Sequence, residues 1–147
     1  MPVKVTDRSA EAMERYRLAE YNAIDAATNQ LEMRLKNAFG RHYTTGAFRD
    51  TLKVRANIRR SNPEKNLDGE WITRVGIKPN ERNANAKPGD KQVYGVGEIA
   101  LAWELGHHNT FTRRYERVEI WVPTAERAVP FMQKAFARVL KRYMDKP

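Results

Sequence analysis

A carboxylate and two imidazoles lie within one short segment of this chain, at Glu104, His107 and His108. Carboxylates and neutral imidazoles are common zinc ligands, so the segment is the first candidate for metal chemistry. The spacing argues against such a site, because a helix presents paired ligands at positions i and i+4. His107 and His108 are adjacent and follow Gly106, so they are expected to point in different directions. A metal-dependent hydrolase stays an alternative, but we expect no metal and no other cofactor.

Other catalytic patterns are missing from the sequence. The chain has no cysteine, which excludes thiol catalysis and cysteine-ligated metals. It contains neither a Gly-x-Ser-x-Gly turn nor a glycine-rich phosphate loop with a lysine. Carboxylate pairs such as Glu116 with Glu119 lie among arginines, where solvated ion pairs are the ordinary outcome. We therefore predict that the protein is not an enzyme.

Positive charge dominates the composition, with 27 lysines and arginines against 18 acidic residues, a net charge of +9 and a pI near 10.0. Two groups of arginines are candidates for a partner interface or for phosphate contact: Arg55, Arg59, Arg60, Arg113, Arg114 and Arg117. The planar guanidinium suits phosphates and carboxylates alike, so a nucleic acid and an acidic protein both stay open. No apolar run approaches the ~20 residues of a membrane helix, so no membrane partner is expected.

Two long helices are predicted at the ends of the chain. Between Ser9 and Phe39 there is no proline or glycine, and apolar or small residues recur every three or four positions. These residues are Tyr21, Ile24, Thr28, Leu31, Leu35 and Ala38. The last helix is predicted from about Thr124 to Tyr143, with Pro130 in its first turn, where proline is tolerated.

Alternating apolar and polar residues predict strands between these helices. Residues 52–59 and 71–77 alternate with period two and flank a segment rich in turn formers, which is typical of an antiparallel hairpin. A third strand is predicted over 117–122, ended by Pro123. A short buried helix is predicted from Ile99 to Leu105, because Gly106 can end it.

These elements predict a single α+β domain over residues 1–147. A small antiparallel sheet, a hairpin plus at least one further strand, is packed by the long N-terminal helix and the C-terminal helix. The start, residues 1–8, is expected to be flexible, and the polar segment 79–93 is expected to be an exposed loop. Five residues are predicted to couple the helices to the sheet: Leu31, Leu35, Trp103, Phe131 and Phe136.

Three short motifs follow one another along the chain. They are Thr45-Gly46, then Tyr94 followed by Glu104 and Gly106, then Pro130-Phe131. In this order they resemble the neck or tail-completion family of long-tailed bacteriophages, whose members join head to tail. The chain departs from the family pattern after Gly106, where a longer insert precedes the last helix, and this leaves the subtype open.

The resemblance implies a non-enzymatic structural protein of the virion, at the head-to-tail junction, in a neck, tail-completion or tail-terminator role. The motif residues are then structural. The implied partners are further copies of the chain in a ring, in the form of a hexamer, together with head-completion proteins and tail-tube or terminator proteins. Weak DNA contact in the channel and assembly in the host cytoplasm follow from the same role. A basic nucleic-acid-binding regulator remains the alternative.

Overall fold

The computed structural model describes residues 8–41, 50–77, 100–101, 104–109, 113–117 and 119–145. Three helices lie wholly within these ranges, α1 (Ser9–Arg41), α2 (Asp50–Asn57) and α3 (Trp121–Met144), and residues 100–101 and 104–105 are also helical. Thr45, Gly46, Tyr94 and Trp103, together with the predicted loop 79–93 and residues 1–7 of the predicted flexible start, lie outside the described residues. Within the described ranges, no helix combines the length and the apolar character that crossing a membrane requires.

Among the described residues, six short strands pair in three antiparallel two-stranded sheets. The first hairpin joins β1 (Ile58–Arg60) to β4 (Val75–Ile77), and nearer its turn β2 (Glu64–Lys65) to β3 (Trp71–Ile72). The second joins β5 (His107–Asn109) to β6 (Arg114–Glu116). The predicted α+β class is confirmed, as are the antiparallel hairpin and the long helices at either end.

The helices α1 and α3 pack against each other and run antiparallel. The ring of Phe39, near the end of α1, lies 6.2 Å from that of Trp121, the first residue of α3. Ten residues further along α3, the ring of Phe131 lies 3.4 Å from the guanidinium carbon of Arg34, so the two chain directions are opposed. Small side chains are buried on both helices: Ala19, Ala23, Ala128 and Ala135. Small residues let two helix backbones approach closely, because few side-chain atoms separate them.

The main core lies where the C-terminal half of α1 meets α2, the first hairpin and the start of α3. Its fully buried members are Leu35, Phe39, Val54, Ile58 and Ile120. Half-buried apolar residues pack around them: Leu31, Ala38, Val75, Ile77, Ala100 and Trp121. One core therefore holds together segments that are up to 85 positions apart in the sequence, Leu35 and Ile120.

Polar contacts fasten the first hairpin to the middle of α1. The indole nitrogen of Trp71 donates to the Glu20 carboxylate at 3.1 Å, and its ring meets Tyr21 edge-on at 5.8 Å. Arg60, on β1, forms an ion pair with Asp25 and a second with Glu32, whose Oε2 lies 2.9 Å from the arginine Nε. These contacts position the hairpin along α1.

The prediction of a strand over 52–59 is wrong, because most of that segment forms α2 and only Ile58 and Arg59 belong to β1. Val54 and Ile58 are buried, and they are four residues apart, so they satisfy both a helical repeat and a period of two. Ala56 separates the two cases. It would share the buried face of a strand, and it is exposed, as the helix requires.

The predicted third strand over 117–122 is also wrong. Ile120 is the N-cap of α3 and Trp121 already belongs to the helix, while the second hairpin uses residues 107–109 and 114–116. Pro123, predicted to end the strand, is instead the third residue of α3, within the first turn where proline costs little. Pro130 lies in the helix interior and not in its first turn, so that placement is corrected too.

Two expectations about burial also change. Ala100, Leu101, Glu104 and Leu105 are helical, as predicted; Ala100 packs against the core, but Leu101 and Leu105 are exposed and not buried as expected. Among the predicted coupling residues Leu35 is fully buried, Leu31 and Phe136 are half-buried, and Phe131 is 43% exposed. Phe131 therefore contacts the side chain of Arg34 at the surface and does not belong to the buried core.

Candidate functional site

The carboxylate of Glu104 binds the start of α3. Its Oε2 accepts hydrogen bonds from the backbone amides of Ile120 and Trp121, and its Oε1 accepts one from Val122, each at 2.9 Å. The first amides of a helix have no partner within the helix, and the positive end of the helix dipole favours a negative charge there. The side chain of Ile120 cannot cap α3, so Glu104 supplies the cap from 16 residues away.

The same contacts set the acidity of Glu104. Burial raises its pKa, but the hydrogen bonds from the amides of Val122, Trp121 and Ile120 lower it, as does the positive charge of Arg117. The net effect places the pKa of Glu104 below its ordinary value. The carboxylate is therefore held in its charged form by the helix that it caps.

Gly106 follows the short helix and occupies a conformation that only glycine adopts easily, with φ of 97°. The Tyr115 hydroxyl, from the opposite strand of the second hairpin, donates to the carbonyl of Leu105 at 2.8 Å. A Cβ at position 106 would overlap the Tyr115 hydroxyl and would lie 2.9 Å from Cε1 of the ring. The backbone angle therefore favours glycine, and a Cβ at this position would displace the exposed Tyr115 side chain from its hydrogen bond.

Replacing Gly106 with alanine is expected to lower the free energy of unfolding by about 1 to 3 kcal/mol, the cost of holding a non-glycine residue in a strained backbone conformation. Urea unfolding followed by circular dichroism measures the change. Gly76→Ala is the control, because a Cβ at Gly76 has nothing within 4 Å and its φ is not positive. Equal losses in the two variants would show that neither constraint acts at Gly106.

The two arginine groups predicted as interface or phosphate contacts are placed on several elements. Arg55 is exposed on α2, and its side chain lies against Gly40 of α1, where an added Cβ would be 3.1 Å from the Arg55 Nη1. Arg59 is exposed on β1. The Nη1 of Arg59 donates to the carbonyls of Ala56 and Ile58, at 2.7 and 3.1 Å. Arg55 therefore lies on a helix and Arg59 on the strand that follows it, although the sequence predicted one strand for both.

The remaining arginines of the two groups divide into paired and exposed residues. Arg60 is held by Asp25 and Glu32, as described above. Arg117 donates from Nε to the Glu104 carbonyl at 3.0 Å, and its Nη2 lies 2.6 Å from the Glu119 carboxylate. Arg113 and Arg114 are exposed at the second hairpin. Internal acids therefore already neutralise part of the charge that the sequence suggested for a partner.

In the candidate metal segment, the described side chains of Glu104 and His108 are engaged separately. Both carboxylate oxygens of Glu104 are occupied by backbone amides, and the exposed His108 lies on β5 opposite Tyr115. The part of the chain that the structure describes contains no group of three His, Cys, Asp or Glu side chains able to hold a metal ion.

Two exposed surfaces were not among the predicted site residues. One is a set of cations on α3: Arg127, Lys134, Arg138, Lys141 and Arg142. Their spacing of seven, four, three and one would have revealed them, because all five fall on one side of a helix. The other is the open end of the helix pair, which we define by Met13, Tyr16 and Met144, exposed at 69%, 45% and 62%.

No family model, curated protein or solved structure matches this chain. A function is therefore inferred from these surfaces and from the residues of the motifs.

Proposed function

We propose that this chain is a non-enzymatic structural protein of a phage virion, acting at the head-to-tail junction as a ring of identical subunits. The observation that carries the proposal is the open end of the helix pair. The 33-residue α1 is longer than the 24-residue α3, and residues 8–18 are all exposed. A helix of that length is more than the core of this domain requires.

The apolar face of α1 continues beyond the residues that α3 covers. Tyr16 precedes the buried Ala19 by three residues and extends its face, and Met13, three residues before Tyr16, lies beside Tyr16 one turn further out. Because α3 runs antiparallel from Trp121 beside Phe39, its last residue, Met144, reaches about the level of Tyr16. Exposed apolar clusters of this kind mark association sites.

A second apolar surface lies at the other end of α3, formed by Val122, Val129 and Leu105, all exposed. Val122 and Val129 are seven residues apart and share one side of the helix, and Leu105 adjoins the residue that caps it. Two different apolar surfaces on one chain permit a head-to-tail contact between copies, which closes into a ring when the rotation between neighbours allows. Head-completion and tail-tube or terminator proteins would then bind the faces of the ring.

The motif residues fit a structural role of this kind. Glu104 caps α3 and Gly106 permits the packing of Tyr115, so each holds part of the framework and is not arranged for catalysis. A nucleic-acid-binding regulator, the alternative, would act as a monomer or dimer and would need no ring.

The open end is tested by the variant Met13→Asp/Tyr16→Asp. At ~150 mM salt, wild type is expected to show a light-scattering mass several times the 17.1 kDa of one chain. The double variant is expected to be monomeric with unchanged helix content, because buried charges would be left unpaired in the contact. Arg15→Glu is the control, since it changes the charge by the same two units on the other side of the exposed turns.

A monomeric wild type, or a double variant with the mass of wild type, would contradict the proposal. Electron micrographs should show closed rings of wild type only. Deletion of the gene should give lysates with separate filled heads and finished tails, and lysates with normal particles would exclude the neck role.

A further inference from the structure

We infer that one side of α3 is a binding surface for the phosphate backbone of nucleic acid, read without regard to base sequence. The surface, which we name the basic stripe, consists of Arg127, Lys134, Arg138, Lys141 and Arg142, all exposed. This binding site is additional to the proposed function. It rests on that function only for the identity of the nucleic acid, which would be the one in the phage particle. The binding itself is a property of the free protein.

The helix geometry aligns the five cations. At 3.6 residues per turn they fall within an arc of roughly 100°, and from Arg127 to Arg142 they extend over about 22 Å of helix. Within the described part of the chain, none of the five has an ion pair. The acids nearest in sequence are Glu126, about 100° away around the helix, and Asp145, at its C-terminal end.

A sixth cation, from α1, reaches the stripe between Arg127 and Lys134. The guanidinium carbon of Arg34 lies 3.4 Å from the centre of the Phe131 ring, and Phe131 is four residues after Arg127 and three before Lys134. Stacking on an aromatic ring holds the planar guanidinium in a fixed orientation. The Nε of Arg34 is buried without a hydrogen-bond partner among the described residues, and Arg34 forms no ion pair with the described acids.

The surroundings of the stripe favour phosphate over an acidic protein. The centre of a protein interface is depleted of charge and enriched in apolar and aromatic residues. The exposed apolar residues of α3 near its start, Val122 and Val129, lie on the opposite side of the helix from the stripe. Phe131, the aromatic residue within the stripe, is 43% exposed, and one face of its ring is occupied by the Arg34 guanidinium. Along one strand of B-DNA, about 22 Å corresponds to about six phosphates, which matches the six cations.

The experiment measures binding of two fluorescent DNA duplexes of unrelated sequence between ~50 and ~200 mM salt. Six phosphate contacts predict a slope of log affinity against log salt of about −5 for both duplexes, and near loss of binding at physiological salt. The variant Arg127→Gln/Lys134→Gln/Arg138→Gln is expected to have a slope that is shallower by about 2.7. Its affinity for DNA at ~50 mM salt is expected to fall by at least about tenfold. Its three positions are exposed, so its thermal unfolding should stay close to that of wild type.

The matched control is Arg55→Gln/Arg59→Gln/Arg114→Gln, which removes the same charge from arginines outside the stripe. It is expected to keep the wild-type slope. Equal slopes in the two variants would overturn the proposal, because binding would then follow net charge alone. Tighter binding of polyglutamate than of DNA at equal charge concentration would overturn it in favour of an acidic protein partner. Either result leaves the mass of the Met13→Asp/Tyr16→Asp variant unaffected, so the two proposals fail separately.

Discussion

Replacing Phe39 with alanine is expected to lower the free energy of unfolding by about 3 to 5 kcal/mol, the range for a fully buried phenylalanine. Phe39 is 1% exposed and belongs to the buried cluster with Leu35, Val54 and Ile58. Its ring also meets Trp121 at a T-shaped angle of 61°. Removing it opens a cavity where α1, α2, β1 and α3 all meet, so no single element can move to fill the space.

Phe131→Ala is the matched control, because it makes the same chemical change at a residue that is 43% exposed. We expect it to cost less than half as much, since much of the Phe131 ring already contacts water and its main partner is the side chain of Arg34. Urea unfolding of both variants by circular dichroism gives the comparison. Similar losses would show that the core is not centred on the start of α3.

Replacing Glu104 with alanine is expected to destabilise the protein by about 2 to 3 kcal/mol, at or above the upper end measured for loss of a helix cap. Three amides at the start of α3 lose a charged acceptor at once, and hydrogen bonds to charged groups are the stronger ones. Glu104→Gln keeps one acceptor oxygen and should lose less. Glu119→Gln, at an exposed carboxylate paired with Arg117, is the control and should change stability by less than about 1 kcal/mol.

The stabilisation by Glu104 should also depend on pH. Because the pKa of Glu104 is lower in the folded protein than in the unfolded chain, the unfolded chain binds the proton more readily. The contribution is therefore complete above the unfolded-state pKa of ~4.3 and is lost as the pH falls through the folded-state pKa. Urea unfolding at a series of pH values should show a smaller loss between about pH 5 and pH 3 for Glu104→Gln than for wild type. Identical acid profiles would mean that the carboxylate is not held by these amides.

Both predictions concern the start of α3, and the proposed ring contact depends on it as well. Val122, whose amide binds Glu104, contributes to the apolar surface near that end of the helix. If Glu104→Ala frays the first turn, that surface loses its shape, and assembly should weaken along with stability. The basic stripe begins at Arg127, beyond the capped turn, so DNA binding by this variant should change little while the domain stays folded.

The amino-acid sequence by itself determined the two long helices, the first hairpin and the α+β class. These elements carry local signals, because the spacing of apolar residues marks the buried face of an element. The spacing is three or four residues in a helix and two in a strand. The sequence also indicated Glu104 and Gly106 as motif residues. It did not indicate that Glu104 would cap α3, because a hydrogen bond across 16 residues leaves no periodic pattern.

Tertiary structure decided between helix and strand where the local pattern fits both. Val54 and Ile58 fit a strand as well as a helix, and packing against Leu35 and Phe39 of α1 buries them together while leaving Ala56 exposed. Pro123 could end a strand or begin a helix, and the Glu104 carboxylate stabilises the helix start.

The availability of each arginine was likewise decided in three dimensions. Arg60 lies 28 and 35 positions from the acids that neutralise it, Glu32 and Asp25, whereas the cations of the basic stripe meet no described acid at all. A charge count adds such residues together, because composition carries no distances. Electrostatic energy depends on distance and on burial, so only the folded chain separates the arginines that hold it together from those left to bind a partner.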